Sequence, residues 1–179
     1  MIDESALIQR AQEGEAEAFG TLVSRYQATV FNVCLRLLGD RGEAEDATQE
    51  AFVRAYQRLA TFDQQRPFAP WMRTVAANHC YNKLESRGPC TVDYDQLAER
   101  TAPLHLSPEA QLLQEETSRQ VRQAMLALPS HFRLVIELRH FQELNYEEIA
   151  ATTGLSLSVV KTNLFRARKL LAEILTKMP

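Results

Sequence analysis

Apolar residues recur at three- and four-residue steps along most of the chain, and strand-like alternation is almost absent, so the pattern predicts an all-α protein. Asp3 can cap a first short helix that ends near Gly14. Phe19, Leu22, Val23, Tyr26, Val30, Val33, Cys34 and Leu37 then form one long stripe, which Gly39 closes. A third helix, from about Glu43 to Leu59, turns Ala44, Ala47, Ala51, Phe52, Ala55 and Leu59 inward and leaves Asp46, Gln49 and Glu50 together on another face. Thr61 to Ala69 reads as a loop. Pro70 suits the first turn of a fourth helix that carries Trp71, Met72, Val75, Ala76 and Leu84.

Periodicity is lost over residues 87–106, where Gly88, Pro89, Asp93, Asp95, Glu99 and Pro103 gather into an acidic linker. Ser107-Pro108-Glu109 then restarts helix with a cap and an N1 proline. The expected organisation is two small helical domains joined by a flexible linker: an N-terminal bundle over residues 1–86, the linker over 87–106, and a C-terminal domain over 107–179.

The C-terminal domain reads as a helix-turn-helix. Asn145 can accept from the amide of Glu148 while that glutamate reaches back, a capping box that fixes the start of the first helix. Ile149 and Ala150 face inward, and Gly154 sits where the chain must turn. Ser156 suits the cap of the second helix, in which Val160, Leu164, Ala167, Leu171 and Ile174 make a core stripe. The opposite face carries Ser158, Lys161, Thr162, Phe165, Arg166 and Lys169, donors and an aromatic at helical spacing, as a major-groove reading helix requires. Any amphipathic helix pair with a glycine turn shares part of this pattern, and basic residues in a last helix also favour the macrodipole.

Composition narrows the classes. With 45% hydrophobic and 24% charged residues over 179 positions, a disordered chain is excluded. The absence of an eighteen-residue apolar run argues against membrane insertion, and the start Met-Ile-Asp-Glu-Ser lacks a signal peptide's features, so a cytoplasmic protein is expected. Cys34, Cys80 and Cys90 are odd in number and show no CxxC spacing, which fits reduced thiols. Adjacent His79 and Cys80 cannot readily aim two ligands at one ion, so no metal and no cofactor is expected. His105, His131 and His140 fall on different segments, and no nucleophile, base and orienter emerge from the spacing; the chain is not read as an enzyme.

The net charge of −3 hides a segregation that matters more. Residues 1–50 carry net −6, 51–90 net +4, 91–158 net −5 and 159–179 net +4. Two basic blocks could each meet phosphate, and the acidic blocks better suit a basic protein partner. Charge blocks alone fit solvated helix faces equally well.

Taken in order, several motifs resemble the extracytoplasmic-function sigma factors, the small sigma-70 relatives that direct bacterial RNA polymerase to promoters, and in particular the envelope-stress sigma-E type. They are Gly14-Glu-Ala-Glu-Ala-Phe19, Tyr26, Leu37-Leu-Gly-Asp40, the run from Ala44 to Tyr56, Trp71 with Ala76 and Asn78, Leu128-Pro129 and Tyr146-Glu-Glu-Ile-Ala150. The resemblance covers nearly the whole chain. It implies sigma region 2 in the first domain and region 4 in the second, acting with core RNA polymerase, through its largest-subunit clamp helices and its flap, and with promoter DNA.

Residue by residue, the resemblance assigns Asp46, Gln49 and Glu50 to polymerase binding, where acidic and amide groups complement basic clamp helices. Phe62, Arg66, Phe68, Arg73 and Asn78 match the part that captures a base of the minus-ten element. An extruded base needs an apolar wall, an amide for its edge and arginine for phosphate. Ser158, Lys161, Thr162, Phe165, Arg166 and Lys169 correspond to the helix that reads the minus-thirty-five duplex, with Arg166 best suited to guanine. Trp71 can stack at the melted junction or lie in the core, and its apolar helix favours the core. Phe165 can read DNA or cap the core. The acidic linker can mimic RNA in the polymerase exit path or serve as a plain tether. An anti-sigma partner is implied as well.

Three positions depart from the family pattern: Leu84-Glu-Ser-Arg87 is nearly neutral where a basic run is common, Asn82 replaces a frequent aspartate, and Val159 replaces a frequent threonine. The competing reading is a stand-alone helix-turn-helix regulator.

Overall fold

A computed structural model describes residues 3–87 and 119–177, and every described element is helical. Four helices come first: α1 (Glu4–Gln12), α2 (Ala16–Leu38), α3 (Arg41–Arg58) and α4 (Phe68–Ser86), with a 3-10 turn at Leu59–Thr61. The second set comprises α5 (residues 119–126 as described), α6 (Ser130–Ile136), α7 (Tyr146–Thr153) and α8 (Leu157–Lys177).

Local chemistry sets the boundaries. Gly14 at φ 96° and Gly39 at φ 85° take the left-handed backbone that ends α1 and α2. Asp40 then caps α3 by accepting from the Glu43 amide at 2.8 Å. The α4 start differs from the sequence expectation: the helix begins at Phe68, with Pro67 at its N-cap, so Pro70 lies at the third helical position rather than the first. No intrahelical acceptor exists for the first four amides of a helix, so proline costs no hydrogen bond there.

The expected inward residues of α2, Leu22, Val30, Val33, Cys34 and Leu37, are buried against Ala44, Ala47, Ala51, Phe52 and Ala55 of α3. Alanines along α3 let it lie close to α2, and α4 covers both with Met72, Ala76, Ala77 and Cys80. In the second set, Val160, Leu164 and Ala167 of α8 pack with Ile149 of α7 and Leu134, Val135 and Leu138 of α6 and its extension, while Leu171 and Ile174 are partly covered.

Two features were not foreseen. Directly after α6, Glu137–Phe141 continues as a π-helical turn, closed by the Gln142 amide donating to the Glu137 carbonyl at 3.1 Å. The two sets of helices also share one continuous core, with α6 resting on α4 and α2. The expected linker 88–106 and the Ser107-Pro108-Glu109 helix start lie outside the described residues, as does Cys90. Cys34 and Cys80 are buried free thiols.

Candidate nucleic-acid interface

The capping box at the start of α7 is present in full, and Gly154 ends the helix at φ 73°, ψ 6°, in the left-handed region. Ser156 then starts α8, accepting from the Val159 amide at 3.4 Å. A helix begun there places Val160, Leu164 and Ala167 in the core. By the same periodicity Ser158, Lys161, Thr162, Phe165, Arg166 and Lys169 all point to solvent along one face. Phe165 is 71% exposed, so it caps no core; an aromatic ring held in water on a basic helix face is a contact residue waiting for a partner. Arg168 lies aside from this face, donating through Nε to His140 Nε2 at 3.3 Å. Burial, followed by the charges of Arg168 and Arg139, holds the His140 pKa below its usual value, so the ring is neutral and can accept.

On α3, Asp46, Gln49 and Glu50 are exposed on one side, as their spacing foretold. Glu50 is held from below by α4: His79 Nε2 lies 3.0 Å from one carboxylate oxygen and Lys83 Nζ 3.7 Å from the other. The carboxylate is off the direction of the ring N–H, so the histidine contact is close without being an aligned hydrogen bond. Burial lowers the His79 pKa, helped by nearby Arg54 and opposed by Glu50.

The five residues matched to base capture divide into two groups. Arg66 is exposed, and Arg73 and Asn78 are half-buried on α4. Phe62 and Phe68 are core residues, 7% and 0% exposed. Their rings pack edge-on with centroids 5.6 Å apart, Trp71 tilts onto both at 4.7 and 5.4 Å, and Tyr26 lies 5.4 Å from Phe68. This corrects the expectation that both phenylalanines wall an open pocket: α4 starts at Phe68, and its first turn points that side chain into the bundle. Their role is to pin the loop between α3 and α4. Gln12 pins it from the other side, donating to the carbonyls of Leu59 and Phe62 at 2.8 and 2.9 Å. Trp71 is half-buried beside them.

Sequence reading passed over Arg36, Arg133 and Glu137, which carry the densest polar contacts. Arg133 is buried and meets no carboxylate; its guanidinium donates to the carbonyls of Met125, Leu126 and Leu128 and, across to α2, of Leu37. Burial alone pushes its pKa down to about 10, which leaves it charged at neutral pH. Among the described residues no group of three or more His, Cys, Asp or Glu could hold a metal ion, and no helix is long and apolar enough to cross a membrane.

Comparison with known proteins adds independent findings. Residues 22–89 match the family model Sigma-70 region 2, and residues 118–171 match Sigma-70, region 4. The RNA polymerase sigma-H factor of Pseudomonas aeruginosa is 34% identical over 171 residues, covering 91% of this chain and 89% of that protein. The ECF RNA polymerase sigma-E factor of Escherichia coli K12 is 34% identical over 176 residues, covering 94% and 92%. SigW of Bacillus subtilis, an ECF RNA polymerase sigma factor, is 32% identical over 175 residues, covering 92% of each chain. Among solved structures, CnrH in complex with the cytosolic domain of CnrY superposes with a TM-score of 0.64 at 25% identity, covering 98% of this chain and 99% of that one. RpoE of Bartonella quintana, in complex with the anti-sigma factor NepR, shares the fold at the same TM-score of 0.64 and 21% identity, covering 92% and 100%.

Proposed function

Because the chain belongs to the extracytoplasmic-function RNA polymerase sigma factors of the sigma-70 family and is therefore an alternative sigma factor, we propose that the surfaces described above divide its work between polymerase docking, duplex reading and strand opening. The observation that carries this reading is the α8 face, where six residues suited to base edges and phosphates stand in solvent while the alternate positions fill the core.

On this reading, Asp46, Gln49 and Glu50 dock on core polymerase. The face is acidic and exposed, and Glu50 is already oriented by His79 and Lys83, which lowers the ordering cost of binding. Ser158, Lys161, Thr162, Phe165, Arg166 and Lys169 set the register on the minus-thirty-five duplex. The first helical set, residues 1–86, takes the minus-ten element, with Asn78 offering its amide to a base edge and Arg66 and Arg73 meeting phosphate. Phe62, Phe68 and Trp71 act through the loop they hold. The second set belongs to residues 107–179, with 87–106 as tether. Capturing an unstacked base has to offset a few kcal/mol per base, which polymerase contacts and a preformed site together can supply. Binding energy drives local melting, with no covalent step by this chain, and the work is done in the cytoplasm where polymerase and chromosome meet. An anti-sigma partner is part of the proposal, supported by the likeness to CnrH, which is seen in complex with the cytosolic domain of CnrY.

In vitro transcription with core polymerase over a promoter library tests it. Transcripts should depend on this protein and share two motifs at fixed spacing. Sequence-specific binding by the free protein to a palindromic site, without help from the core enzyme, would favour a stand-alone regulator instead.

A further inference from the structure

The two helical sets meet along a polar seam that neither could complete alone. Arg36 of α2 donates through Nε and Nη2 to both oxygens of Glu137, at 2.8 and 2.7 Å, and the Glu137 side chain is 0% exposed. The same guanidinium lies 4.6 Å above the ring of Phe141. Arg133 reaches from α6 to the Leu37 carbonyl, and Ser130 reaches to Glu85. At the other end of the seam, Asn78 Nδ2 donates to the Thr152 carbonyl at 3.3 Å, and Thr74 meets Gln142 at 3.5 Å.

Distance makes this arrangement informative. Thr152 precedes the start of α8 at Leu157 by five residues, a stretch that spans at most about 18 Å. The reading helix therefore begins within roughly 20 Å of Asn78, and the path on to Lys169 adds only about 18 Å. The minus-thirty-five and minus-ten elements are separated by about 25 base pairs, or ~85 Å of duplex. One protein in this form cannot engage both, and Asn78, the amide assigned to the base edge, is already occupied.

We propose that the chain closes on itself, with the Arg36–Glu137 pair as the latch that keeps Asn78 covered by α7 until core polymerase draws the two helical sets apart. This rests on the reading of Asn78 and α8 as the two DNA-reading elements. The chemistry of the latch suits a reversible device. A buried, bidentate ion pair fixes register strongly, yet contributes little net stability, because both charges regain full hydration once the seam opens. An apolar seam of the same size would hold harder and present a sticky face on opening.

Small-angle scattering on the full-length protein, separated by size immediately beforehand, tests the latch directly. The wild type should have the radius of gyration of a compact chain of 179 residues, about 16 Å. Arg36→Glu and Glu137→Arg should each lengthen the particle at unchanged helical content, and the double reversal should return it to the compact value. An extended wild type, a compact single reversal or a double reversal that stays extended overturns the proposal. If a reversal loses helix, the isosteric Glu137→Gln replaces it; it should still lengthen the particle, and an unchanged radius overturns the latch. Transcription with core polymerase is scored separately. A chain that closes and opens as described yet never supports initiation would refute the reading of its DNA-binding surfaces and leave the latch standing.

Discussion

Asn145 and Glu148 cap each other at the start of α7: the Glu148 amide donates to the Asn145 side chain at 2.8 Å, and the Asn145 amide donates to the Glu148 carboxylate at 2.7 Å. The pair satisfies two amides that no helical carbonyl can reach, and it fixes the angle at which α7 meets α8. Asn145→Ala should cost about 1 kcal/mol. For a chain of this size that lowers the melting temperature by roughly 2–4 °C. Asn145→Ser, which keeps the acceptor, should lose only a small part of it. Equal melting curves for wild type and Asn145→Ala would show that the cap contributes nothing.

The exposed face of α8 yields a separable pair of outcomes. Arg166→Ala should cost about 1–3 kcal/mol at one base position and relax the preference there. Lys169→Ala should weaken minus-thirty-five binding evenly across sequences and reduce the salt slope by about one. Neither residue is buried, so both variants should melt within about 0.5 kcal/mol of wild type. Promoter-library transcription at two salt concentrations measures the difference. An even loss from Arg166→Ala would reassign that residue to the backbone.

Glu143 occupies a left-handed backbone conformation, φ 59°, in the turn between the π-helical segment and α7. A residue with a Cβ is strained there by about 1–2 kcal/mol, whereas glycine is not. Glu143→Gly should therefore stabilise the protein by about 0.5–1 kcal/mol, after the extra entropy of glycine in the unfolded chain is subtracted. Chemical denaturation read by helical signal checks the sign. A loss of stability would mean that the glutamate side chain makes a contact worth more than the strain.

The helices and the reading face were legible because their signals are local. Val160, Leu164 and Ala167 lie within two turns of one another, so periodicity alone separates them from Lys161, Phe165 and Arg166. The base-capture loop was less legible, since spacing places Phe62 and Phe68 beside a proline-bounded stretch without revealing that Tyr26, some forty residues earlier, closes over Phe68. The seam was illegible altogether. Arg36 and Glu137 are 101 residues apart, and both belong to types that composition assigns to the surface. Arg133 misleads in the same way, because its acceptors are backbone carbonyls, which every sequence has.

Acid should destabilise the folded chain through two histidines. Burial is the leading cause that holds the pKa of His79 and of His140 below the usual 6.5, with Arg54 acting further on the first and Arg168 on the second. Above that pH both rings are neutral in either state, and folding is indifferent to them. As the pH falls through 6.5, the unfolded chain takes up protons that the folded chain resists, so stability decreases. Protonated His140 can also no longer accept from Arg168. Melting temperature should therefore drop between pH 7.5 and 5.5, before ordinary carboxylates begin to titrate. His140→Gln retains an acceptor without titrating, and it should flatten part of that slope. A wild-type curve level across this range, or a slope that survives replacement of both rings by glutamine, would place the acid sensitivity elsewhere.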